Sequence, residues 1–358
     1  MIRLPLILLM AAGIPWVNAA EKVPLERSIK DWIIGCDNTR ACTAIGAVPM
    51  RDDIGVTTFS LRVTRDAGPQ GSLRVGVFSY NATRGQPTLD GKPLKYRFGP
   101  GELKQGEVPE VFALAGTDAE ALIAELRHGR ELILPIEGGT SVASLSGMSA
   151  ALLLMDSVQG RVGTQDALIS KGPAPADSVP QAFAAPMAPS WQAPVALAPG
   201  RAKEVADAVM AATRKEWQEE LSEGVAPTAQ AYALSADQAL VIIQTGCAAY
   251  NCFYSIYQTP LDQPEQARKA LIAEVPNLPE RQPLGSVDFD PVTGELSSDA
   301  LAMGMGGCGT ALRWRYDGTG FALARAAEMN TCMGLEQAYW PVLWRTESGA
   351  RETKGCRH

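Results

Sequence analysis

The sequence predicts an α+β fold of two domains, each built of mainly antiparallel strands with inserted helices, joined by a Pro/Ala-rich linker. Three observations carry this. Between residues 173 and 199 the composition changes: seven Pro and nine Ala stand with a single charged residue, Asp177. A segment so rich in Pro lacks the N–H groups for a helix or a central strand and stays extended. On either side of it, short alternating segments bounded by Gly, Pro, Asn and Asp outnumber helical periods. Finally, 34 Gly and 25 Pro against 6% aromatic residues suit a turn-rich chain better than a helical bundle. With 358 residues and 46% hydrophobic content there is enough apolar material for two cores. The expected organisation is a signal peptide (1–20), an N-terminal β-rich domain with two helices (21–172), the linker (173–199), a C-terminal α+β domain (200–346) and a polar tail (347–358).

Taken in order, residues 1–20 read MIRLPLILLMAAGIPWVNAA. One positive charge, Arg3, precedes an apolar stretch over 4–14, Pro15 breaks it, and Val17-Asn18-Ala19 supplies the small residues of a cleavage site at Ala19 or Ala20. The apolar stretch is too short for a membrane anchor, which needs about twenty such residues. The mature chain is therefore expected to be periplasmic or secreted, soluble, with no membrane span. In the first half, strands are expected over 29–35, 43–48, 56–64 and 72–80, with a pair around the turn dipeptide Asp90-Gly91. Thr117-Asp118-Ala119-Glu120 reads as a capping box opening a helix that Gly129 ends, with Ala121, Leu122, Ala124 and Leu126 as its core face. Strands over 131–136 and 141–145 and a helix over 146–159 complete that half.

The second half opens with a charged helix over 203–221, whose Val205, Val209, Ala212 and Trp217 form one buried face. Strands over 232–234, 240–245 and 253–258 follow, then a helix over 264–274 started by Asp262. Asp290-Pro291-Val292-Thr293-Gly294 and Asp317-Gly318-Thr319-Gly320 mark hairpins. One internal echo stands out: Ala121-Leu122-Ile123-Ala124-Glu125 recurs as Ala270-Leu271-Ile272-Ala273-Glu274, though the surrounding element order differs and Ala/Leu-rich matches arise easily by chance.

An exported chain keeps its cysteines as disulfides. Cys36 and Cys42 bracket a polar turn between strand-like runs, and Cys247 and Cys252 do the same, so each pair fits a stapled hairpin. Cys308 and Cys332 flank a hairpin and pair by elimination. Cys356, in the polar tail, is left as a free thiol or an intermolecular link. The absence of any C-x-x-C disfavours redox chemistry, and Cys/His spacings for zinc are missing.

Net charge −7 with 20% charged residues argues against nucleic acid or an anionic membrane as partner. Only two histidines occur, His128 at a helix end and His358 at the last position, which leaves little room for His-based catalysis. No G-x-S-x-G, S-x-x-K or HExxH is present. Gly304-Met305-Gly306-Gly307-Cys308-Gly309 matches a dinucleotide fingerprint, but a strand is expected after it where a helix is needed, so it reads as a tight stapled bend. Asp288-Phe289-Asp290 fails calcium-loop spacing and reads as a hairpin. No cofactor and no metal are expected. Trp314, Trp340 and Trp344 are the candidates for surface recognition, since Trp is favoured at binding hot spots, with core packing as the alternative. Arg313 and Arg315 alternate with Trp314 on a strand and would share the face opposite it.

Towards the C-terminus Gly306-Gly307-Cys308-Gly309, Trp314-Arg315-Tyr316-Asp317-Gly318, Glu328-Met329, Cys332-Met333-Gly334 and Trp340-Pro341-Val342-Leu343-Trp344-Arg345 occur in one order. With Asp31-Trp32-Ile33-Ile34-Gly35-Cys36-Asp37-Asn38 near the start, and with Ser144-Leu145-Ser146-Gly147-Met148, Met155-Asp156 and Gln159-Gly160-Arg161, they resemble the bacterial exported "domain of unknown function 1176" family over nearly the whole mature chain. The first half alone is distantly similar to the invasion-associated locus B family. The first resemblance implies a periplasmic location and no particular activity; Met333 stands where an Arg commonly follows the family's Cys. The expectation for function is thus a non-enzymatic protein binding an unknown protein or cell-envelope ligand. The alternatives are a carboxylate-dependent hydrolase of envelope glycan, since 39 acidic residues allow many pairs, or an inhibitor of a secreted enzyme.

Overall fold

In a computed structural model that describes residues 22–46, 57–79, 83–98, 110–136, 139–278, 285–303, 307–332 and 335–347, the first half opens as a ladder of antiparallel strands. β1 (Leu25–Ile29), β2 (Trp32–Cys36) and β3 (Cys42–Gly46) are followed by β4 (Thr57–Thr58), β5 (Ser60–Arg65) and β6 (Leu73–Phe78). β7 (Thr88–Leu89) and β8 (Lys92–Pro93) flank Asp90-Gly91, whose φ values of 49° and 81° are those a tight two-residue hairpin requires. β9 (Glu110–Ala115) runs into α1 (Gly116–Leu126), and β10 (Glu131–Ile136) and β11 (Gly139–Ser144) precede α2 (Met148–Val158). Six of the strands form one sheet in the order β1-β2-β3-β5-β6-β9, and five form another, β4-β11-β10-β7-β8.

The second half begins with α3 (Pro199–Ala212) and α4 (Arg214–Glu219), then β12 (Thr228–Ala233), β13 (Gln238–Cys247), β14 (Cys252–Pro260) and β15 (Arg268–Lys269). These four strands pair in chain order. A second meander follows: β16 (Val287–Asp290), β17 (Glu295–Leu301), β18 (Gly309–Tyr316), β19 (Phe321–Met329) and β20 (Val342–Arg345), again paired in chain order. With 40% of residues in strands and 18% in helices, the fold is mostly antiparallel sheet with few helices.

Several local expectations change. The helix over 203–221 is two helices broken at Thr213, whose hydroxyl donates to the Val209 carbonyl; Val205, Val209 and Trp217 are buried as the periodicity requires, whereas Ala212, just before the break, is exposed. α1 starts at Gly116 with no side-chain cap, so Thr117 lies inside the helix and does not cap it. The helix over 264–274 does not form. Its start is a single 3-10 turn, and its remainder pairs as extended chain: Ala270 N–H donates to Ile256 O, Phe321 N–H to Leu271 O, and Ala273 N–H to Phe321 O. Extended pairing puts Ala270 and Ile272 against the core and leaves Leu271 exposed, a period of two that outweighs the helix propensity of Ala, Leu and Glu. The signal segment, Gly304, Met305, Gly306, Met333, Gly334, Cys356 and His358 lie outside the described residues.

Four hydrophobic clusters result, one of which packs Val205, Val209 and Trp217 of the helices on Val241, Ile243 and Tyr257. On β2, Trp32 and Ile34 face a first core with Leu61, Val75, Leu122, Leu152 and Met155. On β18, Leu312, Trp314 and Tyr316 face a second, with Leu240, Phe289, Leu296 and Phe321. The opposite faces meet each other. Ile33, Ile45 and Phe78 from the first half pack with Ala311, Ala327, Met329, Leu335 and Trp340 from the second. The backbones approach closely there, since a Cβ on Gly35 would sit 2.6 Å from Pro341 Cβ. Arg62 Nε donates to Tyr339 O, and Asn330 Nδ2 to Glu26 Oε1, at the edges of this seam.

Residues 173–198 run as extended chain apart from a 3-10 turn at Ala176–Ser178. They are anchored at intervals. Val179 is buried, the Arg40 guanidinium lies 4.0 Å over the Phe183 ring, and Met187 bridges to Glu347 through two backbone hydrogen bonds. Trp191 closes the series, donating to Pro291 O while its ring fills the space a Cβ on Gly294 would need.

Candidate functional site

The face of β18 and β19 that contributes Ala311, Ala327 and Met329 to the seam continues past it as a surface of guanidinium groups. Alternation along β18 puts Arg313 and Arg315 on this face, opposite Trp314. On β19 a bulge intervenes: Arg313 pairs with Arg325 and Trp314 with Leu323, so Ala324 is an extra residue. The bulge turns Ala324 and Arg325 together towards the same cleft. Arg325 in turn pairs with Arg345 on β20. Arg313, Arg325 and Arg345 therefore form one row across three neighbouring strands, and Arg315 stands one pleat away. Like charges directly opposite across strands are destabilising, so the row needs negative charge nearby.

Three carboxylates supply most of it. Asp299 accepts from both Arg313 terminal nitrogens at 2.9 and 3.1 Å. Glu295 lies 3.7 Å from Arg313 and 3.9 Å from Arg315. Arg345 Nε pairs with the carboxylate of Asp37, which is buried in the turn between β2 and β3. That turn is built for the purpose. The Cys36–Cys42 disulfide closes it, and Asp37 Oδ1 accepts from Thr39 N, Thr39 Oγ1 and Ala41 N, leaving Oδ2 for the arginine. Asn38 then grips the Arg345 backbone from both sides, donating to its carbonyl and accepting from its N–H. The Arg325 guanidinium has no hydrogen bond or ion pair among the described residues. Partial burial first, and then the charges of Arg313 and Arg345, hold its guanidinium below the usual range, opposed by Asp299 and Glu295.

The cleft over this row has a volume of about 640 Å³, inside the range usual for small-molecule sites. Its far wall is the anchored 173–198 segment, a strap laid over both halves, with Ala188, Pro189, Ser190 and Trp191, and its rim includes Thr346. Among the described residues Glu295 is the single acidic group lining it.

The tryptophan expectation is corrected in part. Trp314 and Trp340 are core residues, 0% and 1% exposed, and so present no face to a ligand. Trp344 is half-buried against the second core. All three indole N–H groups are spent on backbone carbonyls, of Ala273, Leu335 and Leu323 respectively. Arg313 and Arg315 do line the cleft. Arg325, Arg345, Asp37 and Trp191 were not among the expected site residues. His128 is exposed at the end of α1. Cys36–Cys42, Cys247–Cys252 and Cys308–Cys332 are disulfides, each within or beside a hairpin. No helix among the described residues is long and apolar enough to cross a membrane.

A family model, DUF1176, described as a protein of unknown function, matches residues 26–347. The uncharacterized protein YpfG of Escherichia coli (strain K12) is 28% identical over 340 residues, covering 90% of this chain and 93% of its own length. No solved structure matches.

Proposed function

This chain belongs to the DUF1176 family of proteins of unknown function, and from that premise we propose that it is an exported envelope protein that binds a ligand in the arginine cleft without transforming it. The observation that carries the reading is Arg325. A half-buried guanidinium between two others, with no acidic partner among the described residues, is a group prepared to receive something. Export is supported by the residue pattern of 1–20 and by three disulfides, which persist in oxidising compartments. The division into a 21–172 unit and a 200–346 unit, and the likeness of the first to the invasion-associated locus B family, belong to this reading as well.

A carboxylate-dependent hydrolase is less well supported. Such a site needs two carboxyl groups facing each other about 5–10 Å apart, whereas among the described residues Glu295 is the single carboxylate lining the cleft and is held by arginines. Purified mature protein, incubated with a panel of envelope glycans, is expected to bind without releasing product, read by calorimetry and chromatography in parallel. Turnover of a glycan abolished by Glu295→Gln would replace this proposal with the hydrolase.

A further inference from the structure

The charge count around the cleft points to the ligand's chemistry. Four guanidiniums stand there: Arg313, Arg315, Arg325 and Arg345. Three carboxylates answer them: Asp299, Glu295 and Asp37. Among the described residues one positive charge is left over, at Arg325, in the middle of the row. A second anion in the cleft would have to displace an internal carboxylate from its arginine, and Asp37 is pinned by its own turn. The balance thus favours one negative group.

The cleft is far larger than such a group. Its remaining lining is neutral: the hydroxyls of Ser190 and Thr346, the small apolar faces of Ala188, Pro189 and Ala324, and the Trp191 ring. Thr346 donates its proton to Ala324 O, which leaves its oxygen free to accept. Hydroxyls beside an aromatic ring and small apolar surfaces suit a body that is uncharged, hydroxylated and about the size of a sugar. We propose, resting on the reading of the cleft as a binding site, that the ligand is an acidic sugar unit carrying one carboxylate or phosphate, with that group seated on Arg325 and the ring against the strap.

The carboxylate source is an acidic glycan, and the phosphate source a phosphorylated sugar headgroup. Four probes separate these possibilities: glucuronate, glucose 1-phosphate, glucose and glucosamine, titrated into the full mature chain by calorimetry. At least one of the two acidic probes is expected to bind tenfold or more tightly than glucose, and glucosamine more weakly still. Which of the two is tighter identifies the source. Arg325→Gln is expected to reduce acidic-probe affinity at least tenfold with glucose unchanged, and Arg325→Lys to retain part of it. Because the comparison among probes uses the unaltered protein, the test does not depend on either variant folding. Equal binding of glucose and the acidic probes would overturn the inference while leaving the cleft a binding site. Binding of none of the four would overturn both.

Discussion

Asp166 holds two arginines at once. Its carboxylate pairs with Arg65 at 2.5 Å and with Arg161, and both arginines are almost wholly buried. Arg161 further donates to Gln159 Oε1 and Gly68 O, and Gln159 to the carbonyls of Arg40 and Arg65, so the end of α2 is tied to two β-turns. Burial, with the Arg65 charge second, brings the Arg161 pKa down to about 10. Removing the bridging carboxylate would leave two buried like charges with only the buried Asp156, 3.9 Å from Arg65, to offset them. Asp166→Ala is therefore expected to destabilise the protein by about 3–5 kcal/mol, the cost of breaking a buried pair from one side, measured by urea unfolding. A loss under about 1 kcal/mol would mean that water already screens the pair. At this scale the sequence was partly legible. Arg313 and Arg315 could be placed on one face because strand alternation is local. Arg325 and Arg345 could not, since only the pairing register and the bulge at Ala324 bring them into line with Arg313.

Elements were readable where one signal dominated. The stapled hairpins, α2 and the Asp90-Gly91 pair follow from turn chemistry and periodicity within a few residues. The pentapeptide Ala-Leu-Ile-Ala-Glu shows the limit. Over residues 121–125 it is helical, burying Leu122 and Ile123 together, whereas over 270–274 it is extended and pairs with Ile256 and Phe321. Nothing within five residues separates these outcomes; partners distant in sequence decide them. The β2–β3 hairpin carries its own prediction. The disulfide closes a short loop, so Cys36→Ser with Cys42→Ser is expected to cost about 2 kcal/mol of stability on loop-entropy grounds. Its turn also loses its hold on Arg345 through Asp37 and Asn38. Acidic probes should then weaken along with the thermal midpoint. Unchanged affinity in the folded double variant would show that Arg345 needs no help from this turn.

For the whole molecule, the Pro/Ala composition of 173–199 was informative about conformation and silent about packing. Extended chain is what a free linker and a packed strap have in common, and a few anchors, Val179, Phe183, Met187 and Trp191, make the difference. The shared cluster of Ile33, Ile45 and Phe78 with Trp340 and Met329 was equally hidden, because both faces of those strands are apolar and the sequence offers no sign of which partner each meets. A protease site placed at 192–196, where Val195 is 91% exposed, tests how the halves hold together. The nicked protein is expected to elute from gel filtration as one species and to separate only in denaturant. Separation in native buffer would mean that the seam depends on the covalent link.

The strap also sets a local concentration. A short flexible tether holds two sites at about millimolar effective concentration, and one anchored on both sides of the seam restricts the search further. The seam itself can then be weak in isolation and still remain closed in the intact chain. Arg345, with its backbone held by Asn38 and its guanidinium at the cleft, belongs to both the seam and the site. By mass action, a ligand that prefers the closed arrangement tightens the grip of one half on the other, and loosening that grip releases the ligand.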